Sequence, residues 1–80
     1  MLTLRIISPE KILYEGDASL VKVPGVSGEF EILDNHAPII SALQSGTVEV
    51  EGNGKRRAFT IMGGFVEVHK NMVDLCVEME

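Results

Sequence analysis

The chain contains no tryptophan and a single cysteine. Cys76 therefore has no intrachain partner, and no CxxC or zinc-type ligand spacing is present. This excludes a disulfide scaffold and gives no sign of a structural zinc site. The thiol reads as a small, partly buried apolar side chain, in keeping with a reducing compartment. No uninterrupted apolar run approaches the ~18–20 residues that cross a bilayer as a helix, so no direct bilayer insertion is expected. The opening residues MLTLRIISPE lack a basic head, a long apolar core and a small-residue cleavage site. No signal peptide is therefore expected, and the chain is expected to be cytosolic. Positive charge is also scarce: seven Lys and Arg stand against twelve Asp and Glu, a net charge of −5. Nucleic acid and anionic membranes are disfavoured as partners, because both require basic patches that displace counterions. The one basic run, Lys55-Arg56-Arg57, reads as a solvated strand start or as an electrostatic contact to an acidic partner.

At 80 residues the chain fits one domain, 1–80, with no room for a second core. A domain this small buries only ~60% of its unfolded surface, so it needs a well-closed core, a staple or a bound protein.

What is abundant is period-two alternation. Leu2, Leu4 and Ile6 alternate with Thr3 and Arg5, and Val48 and Val50 with Thr47, Glu49 and Glu51. Val66 and Val68 alternate with Glu67 and His69, and Val73, Leu75 and Val77 with Asp74 and Glu78. Each pattern puts one strand face on a core and the other toward water or a partner. Asn53-Gly54, between strands expected at Gly46–Glu51 and Lys55–Met62, is a type I′ hairpin signal. Lys70-Asn71 separates Phe65–His69 from Met72–Met79 in the same way. Pro24-Gly25 is expected to close a strand at Ala18–Val23. Ser8-Pro9-Glu10-Lys11 has the start signals of a helix, but Gly16 stops the segment within two turns, so a turn into a strand is favoured. Gly63-Gly64 inside an apolar run implies a bend, a bulge or a close backbone approach. The expectation is an all-β fold: a small β-sandwich of about eight to ten short, mostly antiparallel strands.

Catalytic and cofactor chemistry find little support. Gly25-Val26-Ser27-Gly28 lacks the G-x-S-x-G spacing and the strand-to-helix setting of a nucleophile elbow. Gly63-Gly64 has no following helix N-terminus or Lys-Ser/Thr to complete a phosphate loop. Asp34, His36, Glu67 and His69 could be imagined around a metal, yet no pair has a specific ligand spacing. Glu49 and Glu51 share a strand face, which is the pattern of a solvated face rather than an acid–base pair. His36 stands apart. Pro38 holds the backbone before it extended, so the imidazole is presented by a rigid elbow between two strands. It either bonds to nearby backbone within the turn or meets another protein.

The most idiosyncratic segment is GEFEILDNHAPII, Gly28 to Ile40. It resembles the central signature of the epsilon subunit of the rotary, proton-driven F-type ATP synthase, in that subunit's β-sandwich domain. The resemblance extends over nearly the whole chain: Leu4-Arg5-Ile6-Ile7-Ser8-Pro9-Glu10 at the start, then Tyr14-Glu15-Gly16 and Val21-Lys22-Val23-Pro24-Gly25. Gly46, the run Met62-Gly63-Gly64-Phe65-Val66-Glu67-Val68, Asn71 and Val73 follow in order. Two positions depart from it: Glu31 stands where many members have glycine, and Asp34 where many have proline.

The resemblance implies a non-catalytic rotor subunit of the central stalk, with no cofactor and no small-molecule ligand, that couples proton translocation to ATP synthesis. Its partners would be the gamma subunit and the c ring, at the cytoplasmic face of a bacterial inner membrane. A gamma interface is expected at Ser8, His36, Ala37, Pro38, Ile40 and Ser41, and a c-ring interface at Ser27, Gly28, Glu29 and Glu31. Family members commonly carry a C-terminal helical hairpin that restrains ATP hydrolysis. The sequence ends at Glu80, where the sandwich is expected to end, so that braking is not expected here. Two other function classes compete. A biotinyl- or lipoyl-type carrier domain is also small, acidic and all-β, but needs its lysine at a hairpin tip within Asp-Lys-Ala or Met-Lys-Met. Lys70, between His69 and Asn71, has neither flank. The other competitor is a generic protein-interaction β-sandwich.

Overall fold

Alternation becomes strand in the computed structural model, which describes residues 1–79; Glu80, the last residue of the expected domain, lies outside the described residues. Nine strands follow in order: β1 (Leu2–Ile7), β2 (Ile12–Ala18), β3 (Leu20–Gly25), β4 (Gly28–Ile32), β5 (Ile39–Leu43), β6 (Gly46–Gly52), β7 (Lys55–Ile61), β8 (Gly63–His69) and β9 (Met72–Glu78). No helix occurs among the described residues. The all-β expectation holds.

The strands form one curled sheet that doubles into two layers. One layer runs β2-β1-β9-β8-β5, and the other, β3-β6-β7, is extended by β4 on the free side of β3. The layers meet where Gly25 pairs with Leu43 and where the Ser19 N–H donates to the Glu51 carbonyl at 2.7 Å. All pairings are antiparallel except β1 with β9, which is parallel. Leu2, Leu4 and Ile6 of β1, Val21 and Val23 of β3, Val48 and Val50 of β6, Val66 and Val68 of β8, and Val73, Leu75 and Val77 of β9 fill a single core. The phases read from the sequence are the phases that are buried. No polar or charged side chain is buried among the described residues, so the core is held by apolar packing alone.

The turns follow residue chemistry. Asn53 and Gly54 (φ 54° and 74°) and Lys70 and Asn71 (φ 51° and 61°) all adopt the left-handed conformation that a two-residue type I′ hairpin requires. Ser8 tightens the turn before β2: its Oγ accepts the Glu10 and Lys11 N–H groups, each at 3.3 Å, and no helix starts there. Gly64 (φ 145°) is the close backbone approach expected of the Gly-Gly pair.

Pro24-Gly25 differs from expectation, because it closes nothing. β3 continues through Gly25, and the turn is Val26-Ser27. Pairing of β3 with β6 stops at Lys22 opposite Glu49, whereas pairing with β4 continues to Gly25 opposite Gly28. The Pro24 carbonyl turns to the side β6 has left, where it accepts the Gln44 N–H at 2.9 Å. In an extended strand a residue's N–H points the same way as its C=O, so the donor proline lacks is not needed for the β4 ladder. The expected Ala18–Val23 strand also divides, with Ala18 ending β2 and Leu20 starting β3.

Candidate functional site

Strand register assembles a surface from residues far apart in sequence. On the outer side of the β2-β1-β9-β8-β5 layer, Ala42 pairs with Phe65, Phe65 with Cys76, Cys76 with Ile7, and Ile7 with Ile12. This row is apolar across five strands. Phe65 is 49% exposed and Ile12 55% exposed, which is a large apolar area to leave in water on one face. A groove of about 320 Å³ opens there, lined by Ile7, Ser8, Pro9, Phe65 and Cys76 among others. The neighbouring row is charged: Glu67, Asp74, Arg5 and Glu15 pair in turn, with Arg5 Nε 3.6 Å from Asp74. Ile40, paired with Glu67, ends that row and is 74% exposed, the most exposed large apolar residue described.

The expected gamma-interface residues do not form one cluster. Ile40 lies on the outer face of β5, while Ser41 lies on the opposite side, half-buried and paired with Val66. Ser8 follows the far end of β1. His36, Ala37 and Pro38 lie in the loop before β5, at the other end of the layer, where Asn35 and Asn71 meet. A strand of five or six residues, ~17–20 Å, separates the two groups. Phe65 and Ile40 bridge them: Phe65 shares the Ser8 groove, and Ile40 shares a second depression with Pro38 and His69.

The His36 side chain is half-buried, and its Nδ1 lies 2.7 Å from the Ala37 carbonyl oxygen. A carbonyl only accepts, so Nδ1 carries a proton and Nε2 of the neutral ring is an acceptor. His36 thus does bond to local backbone, and that bond fixes which nitrogen is left over.

The expected c-ring residues are contiguous. Ser27 is in the β3–β4 turn, Gly28 has φ 130°, and Glu29 and Glu31 point outward from β4. Glu29 is not part of the turn; it is already in β4, opposite Pro24, with its carboxylate 3.3 Å from Lys22 Nζ. With Glu49 and Glu51 these acids make the outer side of the second layer acidic, with Lys22 and Arg56 interleaved. Arg56 bridges Glu49 at 3.1 Å and also pairs with Glu51, so the solvated-face reading of those two acids holds. Of the other basic residues in that run, Arg57 lies over the rings of Tyr14 and Phe59, 5.4 and 5.3 Å from their centroids.

Among the described residues no group of three His, Cys, Asp or Glu is placed to hold a metal ion. Lys70 does occupy a hairpin tip, as a carrier domain would ask, but its turn partner Asn71 uses its side chain to bind the Asn35 N–H at 2.7 Å. The surface therefore carries two distinct faces, one apolar and one acidic. The sequence missed the apolar row, although Phe65 lies on the polar phase of its strand and Ile7 breaks the phase of Leu2, Leu4 and Ile6.

Residues 1–79 match the family model described as the ATP synthase delta/epsilon chain β-sandwich domain. An ATP synthase epsilon chain of Leptospira borgpetersenii serovar Hardjo-bovis is 42% identical over 77 residues, covering 96% of this chain and 61% of that protein. One from Desulfitobacterium hafniense is 42% identical over 76 residues, covering 95% and 58%. Among solved structures, a chain of the Euglena gracilis mitochondrial ATP synthase OSCP/F1/c-ring assembly superposes with a TM-score of 0.89 at 24% identity, covering 95% of this chain and 49% of that one. A chain of the Tetrahymena thermophila mitochondrial ATP synthase central stalk and c ring gives 0.83 at 18% identity, covering 96% and 63%. At those identities the structures speak for the fold. The chain spans about three fifths of the length of the curated relatives it matches.

Proposed function

As a member of the ATP synthase delta/epsilon chain β-sandwich family, the chain acts, we propose, as a non-catalytic coupling part of the central stalk of an F-type ATP synthase. The single domain, residues 1–80, grips the gamma subunit with its apolar face and meets the c ring with the β3–β4 hairpin. It works at the cytoplasmic face of a bacterial inner membrane, as a peripheral part of the complex. The observation that carries this reading is the apolar row Ala42–Phe65–Cys76–Ile7–Ile12 with Ile40 beside it, on a domain whose core is already complete without those side chains.

The physics suits a rotor contact. An apolar patch loses water on docking and contributes roughly 25 cal/mol for each Å² buried. The charged row beside it fixes register and excludes wrong partners more than it adds affinity. At the other surface, Glu29 and Glu31 offer carboxylates to basic or polar loops of the ring. Both surfaces sit on paired strands, so torque passes through a rigid body and not through a flexible linker.

The test is capture of the gamma-containing catalytic sector by the purified chain and by an Ile40→Asp/Phe65→Ser variant. The expected result is tight capture by the wild type and loss in the variant, with the melting temperature of the isolated domain nearly unchanged. Equal capture by both proteins overturns the assignment of this face. An intact mass showing an added biotinyl or lipoyl group at Lys70 overturns the whole reading in favour of a carrier domain.

A further inference from the structure

We propose that Asn71 is a positioning residue for the His36 elbow, acting across the fold through Asn35; this rests on the reading of His36–Pro38 as part of the gamma interface. The segment from Leu33 to Pro38 has no strand ladder to hold it. Its internal support is one backbone bond, from the His36 N–H to the Leu33 carbonyl at 3.2 Å, and the His36 Nδ1 contact with the Ala37 carbonyl at 2.7 Å. External support comes from two places: the Met1 ammonium pairs with the Asp34 carboxylate at 2.8 Å, and the β8–β9 hairpin holds Asn35. Asn71 Oδ1 accepts the Asn35 N–H at 2.7 Å, and Asn71 Nδ2 reaches Asn35 Oδ1 at 3.5 Å.

Asn71 is itself well anchored. It occupies the second position of the type I′ turn, with φ 61°, and its carbonyl accepts the Thr3 N–H at 2.8 Å. The hairpin tip, the start of β1 and the elbow thus meet at one half-buried residue, β1 on its carbonyl and the elbow on its side chain. Asn35 is also left-handed (φ 63°), a turn conformation that asparagine tolerates better than other non-glycine residues. A clamp at Asn35 sets the direction in which the chain enters His36, and hence where Nε2 points. Without it the elbow samples other geometries, and affinity falls in proportion to the competent fraction.

Asn71 therefore has two separable duties, the turn and the clamp. Asn71→Gly keeps the left-handed turn and deletes the clamp; Asn71→Asp keeps the acceptor. Hydrogen exchange at the Asn35 amide, followed by NMR on the isolated domain, reads the clamp without any partner. Affinity for the gamma-containing catalytic sector depleted of this chain reads its consequence. Asn71→Gly is expected to speed Asn35 exchange at least tenfold and to weaken binding about fivefold, the effect of one lost hydrogen bond. Asn71→Asp should restore both. In an Asn71→Gly/His36→Ala double variant the two losses should be less than additive, because one acts through the other.

Unprotected Asn35 exchange in the wild-type chain overturns the clamp, and that measurement stands even where a variant fails to fold. Faster exchange with unchanged affinity overturns the positioning role. A His36→Ala variant that binds as well as wild type overturns the interface reading instead, while leaving the clamp measurable.

Discussion

Gly64 lies against the backbone of Cys76 so closely that a Cβ at position 64 would overlap the Cys76 carbonyl oxygen. The two residues are on adjacent central strands, and the contact lets β8 and β9 approach beneath the outer groove. The same glycine has φ 145°, outside the range that side chains favour. Gly64→Ala therefore combines strain with overpacking and should destabilise the domain by roughly 1–3 kcal/mol or more. Gly28→Ala is the control: φ is 130°, but nothing lies within 4 Å of its Cβ. Urea unfolding of both variants should rank Gly64→Ala well below Gly28→Ala.

Glu29 faces water beside Lys22, and exposed ion pairs of this kind contribute about 0–1 kcal/mol. Glu29→Lys should cost the isolated domain no more than about 1 kcal/mol, from like charge against Lys22. In the assembled synthase the same change should lower proton-coupled ATP synthesis measurably. A large fall in melting temperature, or unaltered coupling, would count against a role for this carboxylate at the ring.

Arg56 holds two acids on one strand face, yet is itself 62% exposed. Arg56→Ala leaves Glu49 and Glu51 in mutual repulsion and should cost about 0.5–1 kcal/mol at low salt. At 1 M salt the Debye length is ~3 Å, so the gap to wild type should mostly close. Thermal unfolding at the two ionic strengths checks this.

Leu75, fully buried in β9, packs where both layers contribute. Leu75→Ala should cost about 2–5 kcal/mol. A domain of this size holds only a few kcal/mol in reserve, so much of the variant should be unfolded at 25 °C by circular dichroism.

The fold was legible because its strands obey local rules. Leu2-x-Leu4-x-Ile6 and Val73-x-Leu75-x-Val77 declare their buried phase without reference to a neighbour, and Asn53-Gly54 and Lys70-Asn71 declare their turns. Pro24 misled because a proline is punctuation only where its missing N–H would have met a partner. Whether β6 still flanked it at that point is a matter of register, which local sequence does not encode. The interaction face shares this limit. Ile7, Ile12, Phe65 and Cys76 become one row only when β1 takes its place beside β9, a parallel pairing between the two extremes of the chain. His36 was visible as an oddity, and the expected Glu29 and Glu31 do face outward, but the part of Asn71 in the elbow depends on a contact 36 positions away.

That parallel pairing also bears on how the protein is made. β9 is the middle strand of its layer, with β1 on one side and β8 on the other, yet in chain order it follows both of them. A nascent chain that has reached His69 has made β1 and β8 and has nothing to put between them. Until β9 is made, β1 and β8 each present an unpaired edge of backbone N–H and C=O groups. Chaperone capture, or premature pairing with a neighbouring chain, would fall in that interval. This layer is complete only once residues 72–78 are in place between β1 and β8.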